Sequence, residues 1–109
     1  MKYEVIILES AKYFLDELEL KLKAKSFRTI QLLSEFGPFL PEPHTKKIVG
    51  VQGLFELRVK QGSNICRFFY FHYKDKVYVV TSGYIKKEQK TSRKEIEKAV
   101  NLFNEFNGE

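Results

Sequence analysis

Two arginines, Arg58 and Arg67, are the residues of this sequence whose type and spacing point most directly to chemistry. They flank a Gly62-Ser63 turn, and a hairpin centred on that turn places residue 58 directly opposite residue 67. Like charges that face each other across two strands repel each other. The pair is easier to understand if an anion, above all a phosphate group, lies between or over the two guanidinium groups.

The arginine pair has candidate neighbours on the same predicted face. Glu56 shares the face of Arg58 and can neutralise it. If the turn at 74–76 has three residues, Gly83 faces Arg67 and leaves room above it. The three lysines that follow the third strand are within reach: Lys86, Lys87 and Lys90. The alternative is that Arg58 and Glu56 are ordinary solvent-facing residues and that Arg67 extends along aromatic neighbours to reach solvent. This alternative is weaker for Arg67, because a charge within a nearly all-apolar strand needs a partner.

Histidine, tyrosine and cysteine residues add weaker candidates. His44 precedes a pair of lysines and can enter the site, but a lone loop histidine is a weak signal. Tyr84 can stack on a nucleobase, with core packing as the alternative. Cys66 is the single cysteine and is expected to be buried and unpaired. No second His, Asp or Cys stands at metal-ligand spacing from a histidine, so we predict no metal site and no cofactor.

Basic residues are concentrated in one part of the chain. The net charge is +5, and residues 40–94 hold twelve Lys or Arg against four Asp or Glu, whereas residues 1–39 hold six of each kind. Such a segregated excess is typical of a protein that binds nucleic acid. The alternative is a solvated basic face that keeps the protein in solution.

The length and the apolar content suit one domain. The chain has 109 residues, 43% of them hydrophobic, so we predict a single domain over residues 1–109. The longest apolar run near the start, at 5–8, is too short for a signal peptide or a membrane span. We therefore expect a soluble, cytoplasmic protein that contacts no membrane.

The elements that must position the arginines are three predicted strands, at 54–60, 65–73 and 77–85. Apolar residues alternate with charged ones in the first, which predicts a half-buried strand. The second is apolar or aromatic at almost every position, which predicts a central strand covered on both faces. The third is rich in β-branched and aromatic residues.

Further elements surround these strands. Residues 2–8 predict a strand, and the 44–49 stretch is expected to be extended. We expect a first helix capped by Ser10, and a second from about Ser26 to Gly37, with the junction at 23–25. The residues expected to face inward from the second helix are Phe27, Ile30, Leu33 and Phe36. A capping box from Ser92 to Glu95 begins the last helix.

With these elements in view, the chain resembles the RelE/ParE toxin superfamily, and most closely its HigB-like, phage-related branch. The stretches that carry the resemblance are GLFELRV (53–59), NICRFFY (64–70), DKVYVV (75–80) and GYIKKEQKTSRKEIEKA (83–99). The resemblance implies an α+β, RelE-like fold. It would have a mainly antiparallel sheet of about four strands, with an N-terminal helical hairpin packed on it and a C-terminal helix.

The resemblance also implies a function. It suggests the toxin of a type II toxin-antitoxin system, a metal-independent endoribonuclease, or mRNA interferase, that cuts mRNA on the ribosome and inhibits translation. In that mechanism the 2′-hydroxyl of the substrate attacks the adjacent phosphodiester. Arg58 and Arg67 would hold the scissile phosphate, and Lys87 would support or protonate the leaving oxygen.

Other roles and partners follow from the same resemblance. Family members often carry a tyrosine or histidine near the start of the last helix, but this chain has neither in KTSRKE (90–95). The acid or base is therefore open, with Glu56, His44 or a lysine as candidates. The expected RNA-binding residues are Lys46, Lys47, Lys60, Lys86, Lys90 and Tyr84. The expected partners are mRNA on the ribosome and a cognate antitoxin, of the HigA-like helix-turn-helix kind.

Two other functions stay open at this stage. ParE-like relatives share the architecture but inhibit DNA gyrase, and a non-catalytic RNA-binding module could have the same fold. The dense basic stretch from 58 to 90 favours RNA cleavage, because an inhibitory surface has no particular need for paired arginines on a sheet.

Overall fold

A computed structural model describes residues 2–87 and 89–108. The fold is α+β, as predicted. Its elements in chain order are β1 (Glu4–Ile7), α1 (Glu9–Asp16), α2 (Leu20–Phe36), β2 (Thr45–Lys47), β3 (Leu54–Gln61), β4 (Asn64–Lys74), β5 (Val77–Ile85) and α3 (Arg93–Phe106). A short 3-10 turn, Gly37–Phe39, follows α2. Within the described ranges, no helix is both long enough and apolar enough to cross a membrane.

The five strands form one sheet in the order β1-β5-β4-β3-β2. The pairings among β2, β3, β4 and β5 are antiparallel, and β1 runs parallel to β5. A parallel neighbour needs a long crossover, which α1 and α2 provide before the chain returns to the sheet. The mainly antiparallel sheet is confirmed, with five strands rather than about four.

The sheet is covered on both faces. One core lies between the sheet and the first two helices and includes Leu15, Leu33 and Phe68. A second, smaller core lies under α3 and includes Phe69 and Ala99. The central position of β4 and its burial from both sides confirm the prediction from its apolar composition.

The prediction that β3 is half-buried holds at Arg58 and Lys60 but was wrong for the first part of the strand. Its apolar positions Leu57 and Val59 face the first core, as expected. Leu54 and Glu56, on the other face, are also buried, with 0% and 1% exposure: Leu54 belongs to the second core, and Glu56 contacts Arg67 and Thr91. The sequence alternation shows which residues share a face but does not show what covers that face.

The boundary between the first two helices differs from the prediction. Ser10 lies inside α1, and Leu8 occupies the N-cap position without a side-chain hydrogen bond. The second helix begins at Leu20 rather than near Ser26. The three residues at 17–19 separate the two helices. The Glu19 carboxylate accepts two backbone N–H groups of the first turn, at 2.6 Å and 3.0 Å, so this residue supplies the cap.

The buried face of α2 is narrower than expected. Ile30 and Leu33 are buried as predicted, but Phe27 and Phe36 are 48% and 47% exposed. The buried face of this helix also includes three small polar residues: Ser26, Thr29 and Ser34. Gly37 ends the helix, as predicted, with a positive φ of +52° that suits glycine.

The last helix begins at the predicted N-cap residue, Ser92. Ser92 Oγ accepts a hydrogen bond from the Glu95 backbone N–H at 3.4 Å. Ala99 is fully buried. The ring of Phe103 stacks on Phe71 of β4 with 4.2 Å between centroids, which attaches the helix to the central strand.

Candidate functional site

The centre of the candidate site is the arginine pair. Arg58 of β3 lies directly opposite Arg67 of β4, which confirms the predicted register. The two-residue Gly62-Ser63 turn joins the strands, and Gly62 adopts a φ of +64° that suits glycine. Both side chains point to the face that α3 covers. Arg58 keeps 31% of its side chain exposed and Arg67 keeps 9%, so the pair extends from the core to the surface.

Glu56 lies between the two arginines. Its Oε1 is 2.7 Å from Nη1 of Arg67 and 3.7 Å from Nε of Arg58. One carboxylate thus faces two guanidinium groups, and the cluster keeps one positive charge in excess. The Nε atoms of both arginines are buried, and neither has a hydrogen-bond partner among the described residues. The excess positive charge and the partly exposed side chain of Arg58 suit an anion such as a phosphate.

A cleft of about 290 Å³ opens beside the pair; we call it the arginine cleft. It contains Arg58, Arg67 and two other residues predicted for the site, His44 and Lys60. The backbone N–H of Arg58 donates a hydrogen bond to the backbone carbonyl of His44 at 2.8 Å, which holds the backbone of the histidine next to the arginine pair. Lys25 of α2 also lines the cleft. The structure therefore brings His44 and Lys60 together with the arginines.

Tyr84, rather than Gly83, lies opposite Arg67. The turn between β4 and β5 has two residues, Asp75 and Lys76, rather than the three at 74–76 on which the expectation for Gly83 depended, so the partner of Arg67 moves by one position. The pairing also shifts between residues 69 and 70 and between residues 72 and 74, and these two shifts cancel each other. The ring of Tyr84 stacks on Phe69 at 5.6 Å. Burial raises the pKa of the Tyr84 hydroxyl, partly offset by the neighbouring Thr91.

The expectation that Gly83 leaves room above Arg67 was therefore wrong. Gly83 pairs with Phe68, whose ring belongs to the core under α1 and α2. A side chain at Gly83 would collide with the ring of Phe14 in α1. The glycine makes room for this aromatic ring on the opposite face of the sheet.

The predicted lysines of the segment after β5 lie next to Tyr84. Lys87 and Lys90 are exposed and line a separate small cleft of about 190 Å³, with Lys86 and Tyr84. Lys86 Nζ donates to the backbone carbonyl of Gln89 at 2.7 Å. Tyr84 therefore lies between this lysine cleft and the arginine pair.

Lys46 and Lys47 do not join the arginine cleft. They lie on β2 and line a larger cleft of about 660 Å³, which we call the aromatic cleft because Tyr3, Phe55, Tyr70 and Tyr78 line it. This cleft lies beyond the end of α2. The predicted basic surface is therefore divided among three clefts.

Two contacts of the site had no sequence signal. The Thr91 hydroxyl donates to Glu56 Oε2 at 3.4 Å, which ties the segment after β5 to the buried carboxylate. Lys25 reaches the arginine cleft from α2. Both depend on contacts between residues more than thirty positions apart, which periodicity does not show. In the described part of the chain, no three His, Cys, Asp or Glu side chains are close enough to hold a metal ion.

Solved structures with the same architecture include the E. coli toxin RelE. A double-arginine mutant of that toxin in the free state has a TM-score of 0.66 and 19% identity, covering 93% of this chain and 97% of that one. The intact E. coli RelBE toxin-antitoxin complex contains a chain that matches with a TM-score of 0.60 and 20% identity. The match covers 79% of this chain and 99% of that one. For the archaeal RelE-RelB complex from Pyrococcus horikoshii OT3 the TM-score is 0.56 and the identity is 22%. That match covers 78% of this chain and 96% of the other.

These similarities show that the chain has the RelE toxin fold. A comparison with curated protein sequences gives no match. The family described as Phage derived protein Gp49-like (DUF891) matches residues 13–104, which include α2, the arginine hairpin and most of α3. The chain therefore belongs to the phage-derived Gp49-like family and adopts the RelE fold.

Proposed function

We propose that this protein is the toxin of a type II toxin-antitoxin system, and that it cleaves mRNA on the ribosome without a metal ion. The observation that carries the proposal is the arginine pair, which lies at a cleft and shares one buried carboxylate. Its excess positive charge is held by the centre of a sheet, so little reorganisation is needed when a phosphate binds. Such preorganised charge is the main source of catalysis in many enzymes.

The proposed reaction is an internal transfer at phosphorus. The 2′-oxygen of one ribose attacks the adjacent phosphorus atom, and the bond from phosphorus to the 5′-oxygen of the next nucleotide breaks. The products are a 2′,3′-cyclic phosphate and a 5′-hydroxyl, with one proton removed from the 2′-hydroxyl and one delivered to the leaving oxygen. Arg58 and Arg67 stabilise the negative charge that develops on the phosphate oxygens.

The position of Glu56 favours a supporting role. Its carboxylate is 1% exposed and bonded to Arg67, so a ribose hydroxyl cannot reach it without displacing the arginine. We propose that Glu56 orients both guanidinium groups. His44 lines the arginine cleft and is the better candidate to accept the proton, because histidine is the commonest general base and lies beside Arg58.

Lys87 would support or protonate the leaving 5′-oxygen. It lies in the lysine cleft beyond Tyr84, so an RNA strand that passes from Lys60 over the arginines would reach Tyr84 and then Lys87. In this path Tyr84 can contact a base, while the lysines after β5, Lys86, Lys87 and Lys90, contact the following phosphates.

A cognate antitoxin is the proposed protein partner. The solved RelE chains from E. coli and Pyrococcus horikoshii occur in complexes with RelB, in the E. coli case described as a toxin-antitoxin complex. We propose that a corresponding antitoxin, of the HigA-like helix-turn-helix kind, neutralises this chain in the cytoplasm.

The test is to induce the protein in bacterial cells and to map the 5′ ends of mRNA with and without ongoing translation. We expect new 5′ ends only while ribosomes translate, and about 100- to 1000-fold slower cleavage with Arg58→Ala. The matched control is Arg28→Ala, since Arg28 is exposed on α2 and its loss removes the same charge. Intact mRNA together with gyrase-dependent DNA breaks would replace this proposal with the ParE-like function. RNA binding without any cleavage would indicate a non-catalytic module.

A further inference from the structure

The aromatic cleft lies on the opposite face of the sheet from the arginine pair. Its rings belong to or pack against the core under α1 and α2, whereas the arginines face α3. At about 660 Å³ it has more than twice the volume of the arginine cleft. The catalytic role proposed above does not use it.

The rings in the aromatic cleft form a row across three strands and reach Tyr3, which precedes β1. Phe55 of β3 stacks on Tyr70 of β4, with 5.4 Å between centroids and 20° between planes. Tyr78 of β5 meets Tyr70 edge-on at 5.8 Å, and Tyr3 meets Tyr78 at 6.0 Å. Tyr70 and Tyr78 are buried, so a base of single-stranded nucleic acid can stack only at the end of the row, where Phe55 is partly exposed.

The row ends at Phe55 on the side of β2. The residue opposite Phe55 on β2 is Lys47, which has a flexible chain and no ring. Phe55 is only partly buried, and Gly53 beside it has open space where a side chain would lie. A planar base can therefore extend the stack beside Phe55.

Charges and hydrogen-bonding groups around the cleft suit a nucleotide better than a bare anion. Lys46 and Lys47 are exposed, and neither forms an ion pair with any residue in the described ranges. Glu42 and Gln52 also line the cleft. A carboxylate repels phosphate, but it accepts hydrogen bonds from the amino groups of bases, and an amide can both donate and accept.

From this arrangement we infer that the aromatic cleft binds one nucleotide of single-stranded RNA, with its base beside Phe55 and its phosphate on Lys46 and Lys47. The choice of RNA as the polymer rests on the proposed function, but the binding itself requires no cleavage. The cleft would hold a part of the RNA that is remote from the scissile phosphate.

The test uses the full-length ¹⁵N-labelled protein and maps amide shifts on addition of adenosine 5′-monophosphate, adenosine or inorganic phosphate. We expect the nucleotide to shift Gly53, Phe55 and Tyr70, adenosine to shift the same amides more weakly, and phosphate alone to leave them unchanged. Phe55→Leu keeps an apolar side chain but removes the ring, and should weaken nucleotide binding about tenfold.

A charge variant provides a second arm that does not disturb the core. Lys46→Gln/Lys47→Gln should also weaken nucleotide binding about tenfold, because both lysines are on the surface. The matched control, Lys21→Gln/Lys98→Gln, removes two exposed charges that line neither the aromatic cleft nor the arginine cleft. It should bind as the wild type does.

The outcomes separate this inference from the proposed function. Nucleotide shifts confined to the arginine cleft, or equal shifts with phosphate alone, would overturn the inference. Failure of both the Phe55 and the lysine variants to weaken binding would do the same, as would a cleft that binds only peptides. If mRNA stays intact in cells while the aromatic cleft still binds nucleotide, the inference stands and the proposed catalytic function falls.

Discussion

Glu56 of β3 and Arg67 of β4 form a buried ion pair that joins the two strands of the hairpin, with 2.7 Å between Oε1 and Nη1. They are diagonal neighbours, since Glu56 lies opposite Phe69 and Arg67 lies opposite Arg58. The pair therefore orients Arg67 and at the same time brings a counter-charge near Arg58. A buried pair of this kind is costly to break on one side only, because the remaining charge stays buried without its partner.

The first prediction concerns stability at this pair. Glu56→Gln should lower the free energy of unfolding by about 3–5 kcal/mol, because both arginines lose their counter-charge. Arg67→Met should also destabilise the protein, since it leaves the carboxylate buried. The double variant should lose less than the two single variants together. Urea denaturation of all four proteins gives the coupling energy.

The control for this cycle is an exposed ion pair. Glu9 and Lys12 are 4.0 Å apart on α1 and largely exposed, so Glu9→Gln should leave stability unchanged. Additive effects of Glu56→Gln and Arg67→Met would show that the buried pair does not act as a unit.

A second prediction separates catalysis from stability at Arg58. This side chain is 31% exposed and lies 3.7 Å from Glu56, so Arg58→Ala should change the free energy of unfolding by less than about 1 kcal/mol. The rate of ribosome-dependent mRNA cleavage should fall about 100- to 1000-fold, as is usual when one donor to a developing negative charge is removed. Primer extension on translating ribosomes measures the rate, and thermal melting checks the fold. A near-normal rate in the folded variant would remove Arg58 from the mechanism.

The third prediction concerns alkaline pH. Burial raises the pKa of Tyr70 from 10.0 to about 12, and the hydrogen bond to Thr45 partly opposes this effect. The unfolded chain loses this proton near its ordinary pKa, whereas the folded protein keeps it until about 12. The free energy of unfolding should therefore fall as the pH rises from about 10 to about 12, by about 2–3 kcal/mol from this group.

The Tyr70→Phe variant should lack the part of the alkaline loss of stability that comes from the Tyr70 hydroxyl. Urea denaturation at a series of alkaline pH values should show a steeper loss of stability for the wild type than for the variant. Tyr78 and Tyr84, whose pKa values are also raised by burial, are present in both proteins and do not enter the difference. Parallel curves would contradict the assignment of Tyr70 as a buried, protonated phenol.

The fourth prediction follows from the position of Gly83. Gly83→Ala should destabilise the protein by about 1–3 kcal/mol, because the new methyl group meets the rings of Phe14 and Phe68. Phe14→Leu in the same chain should recover part of the loss. Cleavage per folded molecule should be unchanged, since Gly83 belongs to the face opposite the arginines. Ser63→Ala, in the exposed turn, serves as the control for stability.

Some of the site was predictable because its geometry is local. The opposition of Arg58 and Arg67 needs only a short glycine turn and two strands, and a slip of one residue would turn every side chain to the wrong face. The pairing of Arg67 with the next strand was not predictable in the same way. The turn has two residues, Asp75 and Lys76, rather than three, and this difference of one residue makes Tyr84 the neighbour of Arg67. The residue types at 74–76 do not specify the length of the turn.

The sequence by itself determined the order of strands and helices, the shared face of Glu56, Arg58 and Lys60, and the facing arginines. Only the tertiary structure decided that Glu56 is buried between the arginines and that the basic residues separate into three clefts. The physical reason is that periodicity encodes the direction of each side chain relative to its own strand. What covers that face depends on helices and segments that are distant in the chain, such as α3 and Thr91.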